Sequence, residues 1–260
     1  MKKIIITGAP RTGTTALGTL LSHSGKILVM HELGLYDSNP QNYHKRKNEI
    51  LKLHQNKKFL EKRGLTEKDI DDFFKGDFKN KGDLEFFGDK WPTYCTSTAY
   101  CSHLVKNHPD AYFIFTYRNP CAIIHSNIKR TKHEPNSKAD WTFISLEENT
   151  NKIIEYTTNW ISHIFPHVKN KIIIDYDHYI NKEDLLINDL NEFLNTKIDI
   201  DNLEGTLGNT ECYDKGFRGL YKHSNPKEYL DNLTHQEIDF ISNKTKLLDE
   251  NIKSLIEYKI

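Results

Sequence analysis

Apolar residues in this chain come in two rhythms, and their succession sets out the elements. Ile4, Ile5 and Ile6 form a β-branched run without alternation, the pattern of a strand buried on both faces of a parallel sheet. Gly8, Pro10 and Gly13 interrupt that run, and Ala16, Leu17, Leu20 and Leu21 then recur at helical spacing. Gly25 ends the helix, and residues 26–30 read as a second strand leading into His31 and Glu32. From 42 to 83 the composition shifts to Lys, Glu, Asp and Asn, with Ile50, Leu51, Leu53, Phe59 and Leu60 at broadly helical intervals. Gly64 closes that helix. Thr66 and Asp69 then open another in the manner of a capping box, carrying Ile70, Phe73 and Phe74. This stretch predicts a helical insertion lying over one end of the sheet.

Residues 84–88 predict a third strand, 98–106 a helix and 111–117 the most apolar strand of all. Pro120 suits the first turn of a helix over 121–129. The aperiodic stretch 131–144 predicts a mobile loop, after which Ser145 and Glu148 cap a helix reaching Phe165. A fifth strand over 171–175 precedes a helix through Leu194. Thr234 and Glu237 cap a last helix, whose Ile238, Phe240, Ile241, Leu247, Leu248, Ile252, Leu255 and Ile256 predict a core face. Strands alternating with helices predict an α/β fold in three layers: a mostly parallel sheet of about five strands with helices on both faces.

Composition narrows the possibilities without changing that picture. A chain of 260 residues is long enough to bury one sizeable core, so the expectation is a single domain over 1–260 with the insertion at 42–83. Thirty-six basic residues balance 36 acidic ones, so no global field directs the protein toward nucleic acid or a membrane, and any anion site is local. No apolar run approaches the length of a membrane span, and the first residues read directly as a strand, which together predict a cytoplasmic protein. Cys95, Cys101, Cys121 and Cys212 show no paired spacing, which predicts reduced, mostly buried thiols. Oligomeric state has no sequence signal.

The chemistry begins at the glycine turn. A strand, a tight turn and a helix converge backbone N–H groups and the positive end of a helix dipole on one point, the natural seat of a phosphate or sulfate. Gly8 and Gly13 have the spacing of the nucleoside-triphosphate loop, but Thr14 stands where that motif has lysine. Arg11 supplies a cation instead, with a planar fork suited to a tetrahedral oxyanion. The run Pro10-Arg-Thr-Gly-Thr-Thr15 resembles the loop by which sulfotransferases hold the 5′-phosphosulfate end of 3′-phosphoadenosine 5′-phosphosulfate, PAPS. The resemblance implies a P-loop-type fold and a phosphate pocket lined by Arg11, Thr12, Gly13, Thr14 and Thr15.

Other segments extend the resemblance. Arg118 at a strand end and Ser126 in the next helix resemble the family's clamp on the 3′-phosphate of PAPS, arginine giving a bidentate contact and serine a neutral donor. Asp89-Lys-Trp-Pro-Thr-Tyr94 resembles the Glu-Lys-x-Pro-x-Tyr segment of carbohydrate and bacterial sulfotransferases, with Asp for Glu and Trp91 at a usually small position. It implies that Lys90 meets the bridging oxygen and steadies the charge collecting there as the S–O bond breaks. Glu32 matches the glutamate that takes the acceptor's proton in several of these enzymes, while His31 beside it is the competing base. Tyr176 matches the tyrosine near adenine, and Lys215 and Arg218 loosely match a late segment that folds over the 3′-phosphate. The implied activity is transfer of a sulfuryl group from PAPS, without metal, to a hydroxyl or amine of a small-molecule or carbohydrate acceptor, with Arg11 and Lys90 carrying the growing charge. Two alternatives stand beside it: a P-loop kinase with Asp175 on magnesium, and a PAPS-binding module without catalysis.

Overall fold

Five parallel strands form one sheet in the order β2-β3-β1-β4-β5: β1 (Lys2–Gly8), β2 (Ile27–His31), β3 (Phe86–Lys90), β4 (Tyr112–Tyr117) and β5 (Asn170–Asp175). The structure is a computed structural model that describes residues 1–36, 60–61, 64–75, 84–137, 139, 141–180, 182–198 and 225–257. Its helices are α1 (Thr14–His23), α2 (Glu67–Lys75), α3 (Thr98–Asn107), α4 (Pro120–His133), α5 (Leu146–His163), α6 (Tyr176–Tyr179), α7 (Glu183–Leu194) and α8 (His235–Glu257). No helix among the described residues is long and apolar enough to cross a membrane.

Strand periodicity sorts the core into two clusters, one per face. Ile4, Ile6, Val29, Phe86, Ile114 and Ile174 meet Leu17 and Leu20 of α1 and Leu186 and Leu190 of α7. Their neighbours Ile5, Leu28, Phe87, Phe115 and Ile173 point the other way, to Leu104 of α3, Ile123 of α4, Trp160 of α5 and Ile252 of α8. The Trp160 indole stacks on Phe115 at 4.2 Å and 21°. Both faces of every strand are thus covered, which is why the strands lack alternation in sequence. Strand β1 is central: the chain runs from it to β2 and back to β3 on one side, then crosses from β3 to β4 on the other. The sheet therefore has a topological switch beside β1, and ligands of open α/β sheets gather at such a point, beyond the carboxyl ends of the strands.

Close approach of β1 and β3 depends on Gly88, which is the register partner of Ile4. A Cβ there would lie 1.9 Å from the Ile4 carbonyl oxygen and 2.2 Å from its Cγ2. Gly88→Ala is expected to destabilise the fold by about 3 kcal/mol, the upper end of ordinary overpacking, read as a lower denaturation midpoint in urea.

The predicted caps are present. Ser145 accepts from the Glu148 N–H, and at α8 the Thr234 N–H donates to the Glu237 carboxylate while the Thr234 hydroxyl accepts from the Glu237 N–H. At α2 the Thr66 N–H and hydroxyl both donate to the Asp69 carboxylate, and the Asp69 N–H donates to the Thr66 carbonyl. Leu60, Leu65 and Ile70 of the predicted insertion join the core beside Leu33, Leu35 and Tyr36, while most of 42–83 lies outside the described residues. Three expectations change. Strand β3 runs two residues further than 84–88 suggested, because Asp89 and Lys90 are buried polar residues whose partners are remote in sequence. The expected loop over 131–144 starts as helix to His133, and its end is stitched by the Phe143 N–H to Thr131 Oγ1 (2.8 Å) and the Ile144 N–H to Asn149 Oδ1 (3.0 Å). On α8, Ile241, Leu248 and Ile252 are buried but Leu247 is 70% exposed, since consecutive helical positions sit about 100° apart and cannot share one face.

Candidate functional site

The turn between β1 and α1 is built to leave helix N–H groups open. Gly13 is the N-cap of α1 at φ 91°, and having no side chain it offers the first turn no internal acceptor. By contrast the Asn119 side chain caps α4, accepting from the N–H of Cys121 and Ala122. The dipole end of α1 therefore remains available to an anion. Arg11 sits at φ 75°, a left-handed conformation that costs a non-glycine residue about 1–3 kcal/mol and persists only where the surroundings impose it. Here they do. Gly8 has no space for a Cβ against Thr116 (2.4 Å from its carbonyl oxygen), and the Thr12 hydroxyl bonds both the Ala9 carbonyl (2.7 Å) and Thr116 Oγ1 (2.6 Å). Thr12 thus spends its side chain fastening the loop to β4, while Thr14 is buried and Thr15 half-buried at the start of α1.

The same loop meets the second motif. Arg11 Nε donates to Ser126 Oγ at 3.0 Å, and Arg118 Nη1 donates to the Arg11 carbonyl at 3.4 Å. Arg118 also lies over the Tyr176 ring (4.8 Å to the centroid) and 3.5 Å from Asp177 Oδ1 through Nε. The ring of Tyr176 in turn packs on Gly13, where a Cβ would fall 2.3 Å from Cδ2. Five candidate residues, Arg11, Gly13, Arg118, Ser126 and Tyr176, therefore form one assembly from positions more than a hundred residues apart in sequence. Arg11, expected at the sulfate end, is hydrogen-bonded to Ser126, expected at the opposite end. Its guanidinium bridges the two halves of the site.

A third group stands at the ends of β2 and β3. Lys90 Nζ donates to Glu32 Oε1 at 2.6 Å; the lysine side chain is 3% exposed and the glutamate 42%. Glu32, like Arg11, has a left-handed backbone (φ 57°), and its N–H donates to the Lys90 carbonyl at 2.9 Å. His31 and Lys90 run side by side beneath α1, where Gly18 makes room for them: a Cβ at Gly18 would sit 3.4 Å from His31 Nε2 and 3.4 Å from Lys90 Cγ. Burial, and then the neighbouring Lys90 charge, push the His31 pKa well down, so its imidazole stays neutral.

Two residues important to this arrangement carried no expectation. Gly18 is a mid-helix glycine, normally unfavourable by about 1 kcal/mol, explained by the ring and stem packed under it. Asp89 is fully buried and accepts from the N–H of Leu33, Gly34 and Leu35 and from the Tyr94 hydroxyl. Burial pushes its carboxyl up to about 6 against those four bonds, so at neutral pH it remains an anion able to accept them all. Its visible signal was its place in the Asp89–Tyr94 segment, at the position where the related motif has glutamate. Asp175, the magnesium ligand of the kinase alternative, caps α6 instead, accepting from the Asp177 N–H at 3.1 Å. Lys215 and Arg218 lie outside the described residues.

Comparison with known proteins agrees with this architecture. The fold is similar to the sulfotransferase domain of the Synechococcus PCC 7002 olefin synthase, at a TM-score of 0.64 and 15% identity over 93% of this chain and 94% of that one. It is also similar to the sulfotransferase domain from the curacin biosynthetic pathway (TM-score 0.59, 17% identity, 95% and 98% covered). A third likeness is to sulfotransferase STF9 from Mycobacterium avium (TM-score 0.53, 12% identity, 96% and 76% covered). No curated protein matches by sequence. The profile described as "Sulfotransferase family" matches residues 3–199, a span holding the sheet from the second residue of β1 onward and the glycine turn, Glu32, Lys90 and Arg118 with it: the chain belongs to the sulfotransferase family.

Proposed function

We propose that the protein is a PAPS-dependent sulfotransferase acting on a hydroxyl or amine of a small-molecule or carbohydrate acceptor. The observation that carries this reading is the convergence of Arg11, Ser126 and Arg118 beside an uncapped helix N-terminus. PAPS has anionic groups at both ends of one adenosine, and the donor set fits it: two guanidiniums, a hydroxyl and the open amides of α1 within one assembly, with an aromatic ring, Tyr176, among them. When bound, PAPS supplies an activated sulfuryl group and leaves as adenosine 3′,5′-bisphosphate.

The chain's own contribution follows from the Glu32–Lys90 pair. Glu32 is the open carboxylate, and an acceptor arriving from solvent reaches it, whereas His31 is 3% exposed beneath α1. Glu32 therefore takes the acceptor's proton as the new S–O or S–N bond forms. On protonation it loses its charge, and the cation of Lys90, until then shared with it, becomes fully available to the oxygen on which negative charge collects. Because Lys90 is buried and held, it stabilises that charge without first having to be ordered. Arg11 adds a second cation at the loop.

The test is transfer of radiolabel from [35S]PAPS by the purified protein across a panel of hydroxyl and amine acceptors. Sulfated product is expected in equal amount to adenosine 3′,5′-bisphosphate, with the rate unchanged by excess chelator. Phosphoryl transfer from labelled ATP, abolished by the chelator, would establish the kinase alternative in its place.

A further inference from the structure

We infer that Asp89 is a positioning residue that fixes the Glu32 turn against Lys90, an inference that rests on the sulfotransferase reading above. Neighbours on a strand point to opposite faces, so Lys90 runs under α1 while Asp89 points to the other side of the sheet. There its Oδ1 accepts from the Leu33 N–H (3.2 Å), and its Oδ2 accepts from the N–H of Gly34 (2.8 Å) and Leu35 (3.2 Å) and from the Tyr94 hydroxyl (2.7 Å). Tyr94 Oη also accepts from the Tyr36 N–H (3.1 Å), and the Tyr36 hydroxyl donates to the Phe87 carbonyl (3.1 Å), which closes the network back onto β3.

The left-handed residues of this turn are Glu32 (φ 57°) and Gly34 (φ 73°), and such a backbone turns successive N–H groups inward around a single anion. Asp89 is that anion. Glu32 is therefore held from both sides by adjacent residues of one strand: its own N–H by the Lys90 carbonyl, and the three N–H groups after it by the Asp89 carboxylate. An apolar side chain in its place would leave three buried amides and the Tyr94 hydroxyl without an acceptor, so the carboxylate serves stability as well. What the carboxylate adds beyond stability is a fixed direction for the one residue of the turn that faces the acceptor.

The experiment compares Asp89→Asn, Asp89→Glu and Tyr94→Phe with wild type by three readouts: turnover with PAPS, affinity for adenosine 3′,5′-bisphosphate, and amide hydrogen exchange at Leu33, Gly34 and Leu35 in the free protein. Asparagine turns an N–H₂ toward donors that need an acceptor, whereas glutamate keeps both oxygens and is the residue at the matching position of the related motif. Asp89→Asn is expected to lower kcat about 10- to 100-fold, as small misplacements of catalytic groups do. Its nucleotide affinity should stay within about twofold of wild type, because Arg11, Ser126 and Arg118 stand on other elements. Exchange at the three amides should quicken about tenfold or more while Phe115 in β4 stays protected. Asp89→Glu should recover part of the turnover, and Tyr94→Phe should shift both readouts the same way by less. Unchanged turnover or unchanged exchange in Asp89→Asn overturns the inference. So does a loss of turnover, nucleotide affinity and core protection all together, with no recovery in Asp89→Glu. If Asp89→Asn does not fold, Tyr94→Phe decides by the same two readouts. The exchange measurement needs no donor, so a wild-type protein that moves no sulfuryl group would refute the functional reading while Asp89 is still judged by its amides.

Discussion

Glu32→Gln is expected to lower turnover with PAPS by about 10²- to 10⁴-fold, the range supplied by a positioned general base. The substitution is chosen to keep the Lys90 contact while removing the basic oxygen. Glutamine keeps an oxygen where Lys90 Nζ now donates at 2.6 Å, so the lysine retains an acceptor and the turn its geometry. The Glu32 side chain is 42% exposed, and glutamine has its size and shape. Affinity for adenosine 3′,5′-bisphosphate should therefore be that of wild type, because the arginines and the α1 amides are untouched. Loss of kcat at constant nucleotide affinity is the signature of an interaction used only in the reaction. Turnover within about threefold of wild type would remove Glu32 as the base. The proton would then have to leave by another group, and His31 is too deeply covered by α1 to serve without movement of that helix.

Much of the candidate site could be proposed from the sequence because its parts are local. A buried parallel strand, a glycine turn and a helix follow one another within two dozen residues, and each has its own periodicity. Arg118, Asn119 and Pro120 announce a strand end and a helix start in the same way. What stayed hidden depends on long-range contact. The carboxylate of Asp89 serves amides 54 to 56 residues earlier, in a turn that has no motif of its own. Hydropathy ended β3 at Gly88 because an aspartate and a lysine do not look like strand interior, and the backbone pairing on both sides, of Asp89 with Ile5 and Met30 and of Lys90 with Ile6 and His31, shows that they are. The hydrogen bond from Arg11 to Ser126 spans 115 residues, so no local pattern reveals that one guanidinium joins the two anion motifs. Gly18 carries no signal in the sequence, since the His31 ring and the Lys90 stem packed beneath it come from other elements.

Arg118→Ala is expected to weaken binding of adenosine 3′,5′-bisphosphate by about 2–5 kcal/mol, the cost of deleting one partner of a desolvated charge pair. It should hardly affect adenosine 5′-phosphosulfate, which lacks the 3′-phosphate. The difference between the two ligands is the informative quantity, because Arg118 also has structural contacts. It donates to the Arg11 carbonyl, covers the Tyr176 ring and lies beside Asp177, whose carboxylate is anchored by the Asn119 N–H at 2.7 Å. Burial already pushes the Asp177 carboxyl up, while the Asn119 bond and the Arg118 charge pull it down. Without the guanidinium the balance moves further toward the neutral acid, so the half-buried aspartate can shed its charge and the fold need not fail. Arg118→Lys sharpens the comparison, since lysine restores a charge but not the planar fork. Calorimetric titration of both nucleotides should rank wild type above lysine and lysine above alanine for the bisphosphate, with three nearly equal values for the phosphosulfate. Equal losses for both ligands would mean that Arg118 holds the loop rather than the 3′-phosphate, and the assignment of the two anionic ends to Arg11 and Arg118 would have to be abandoned.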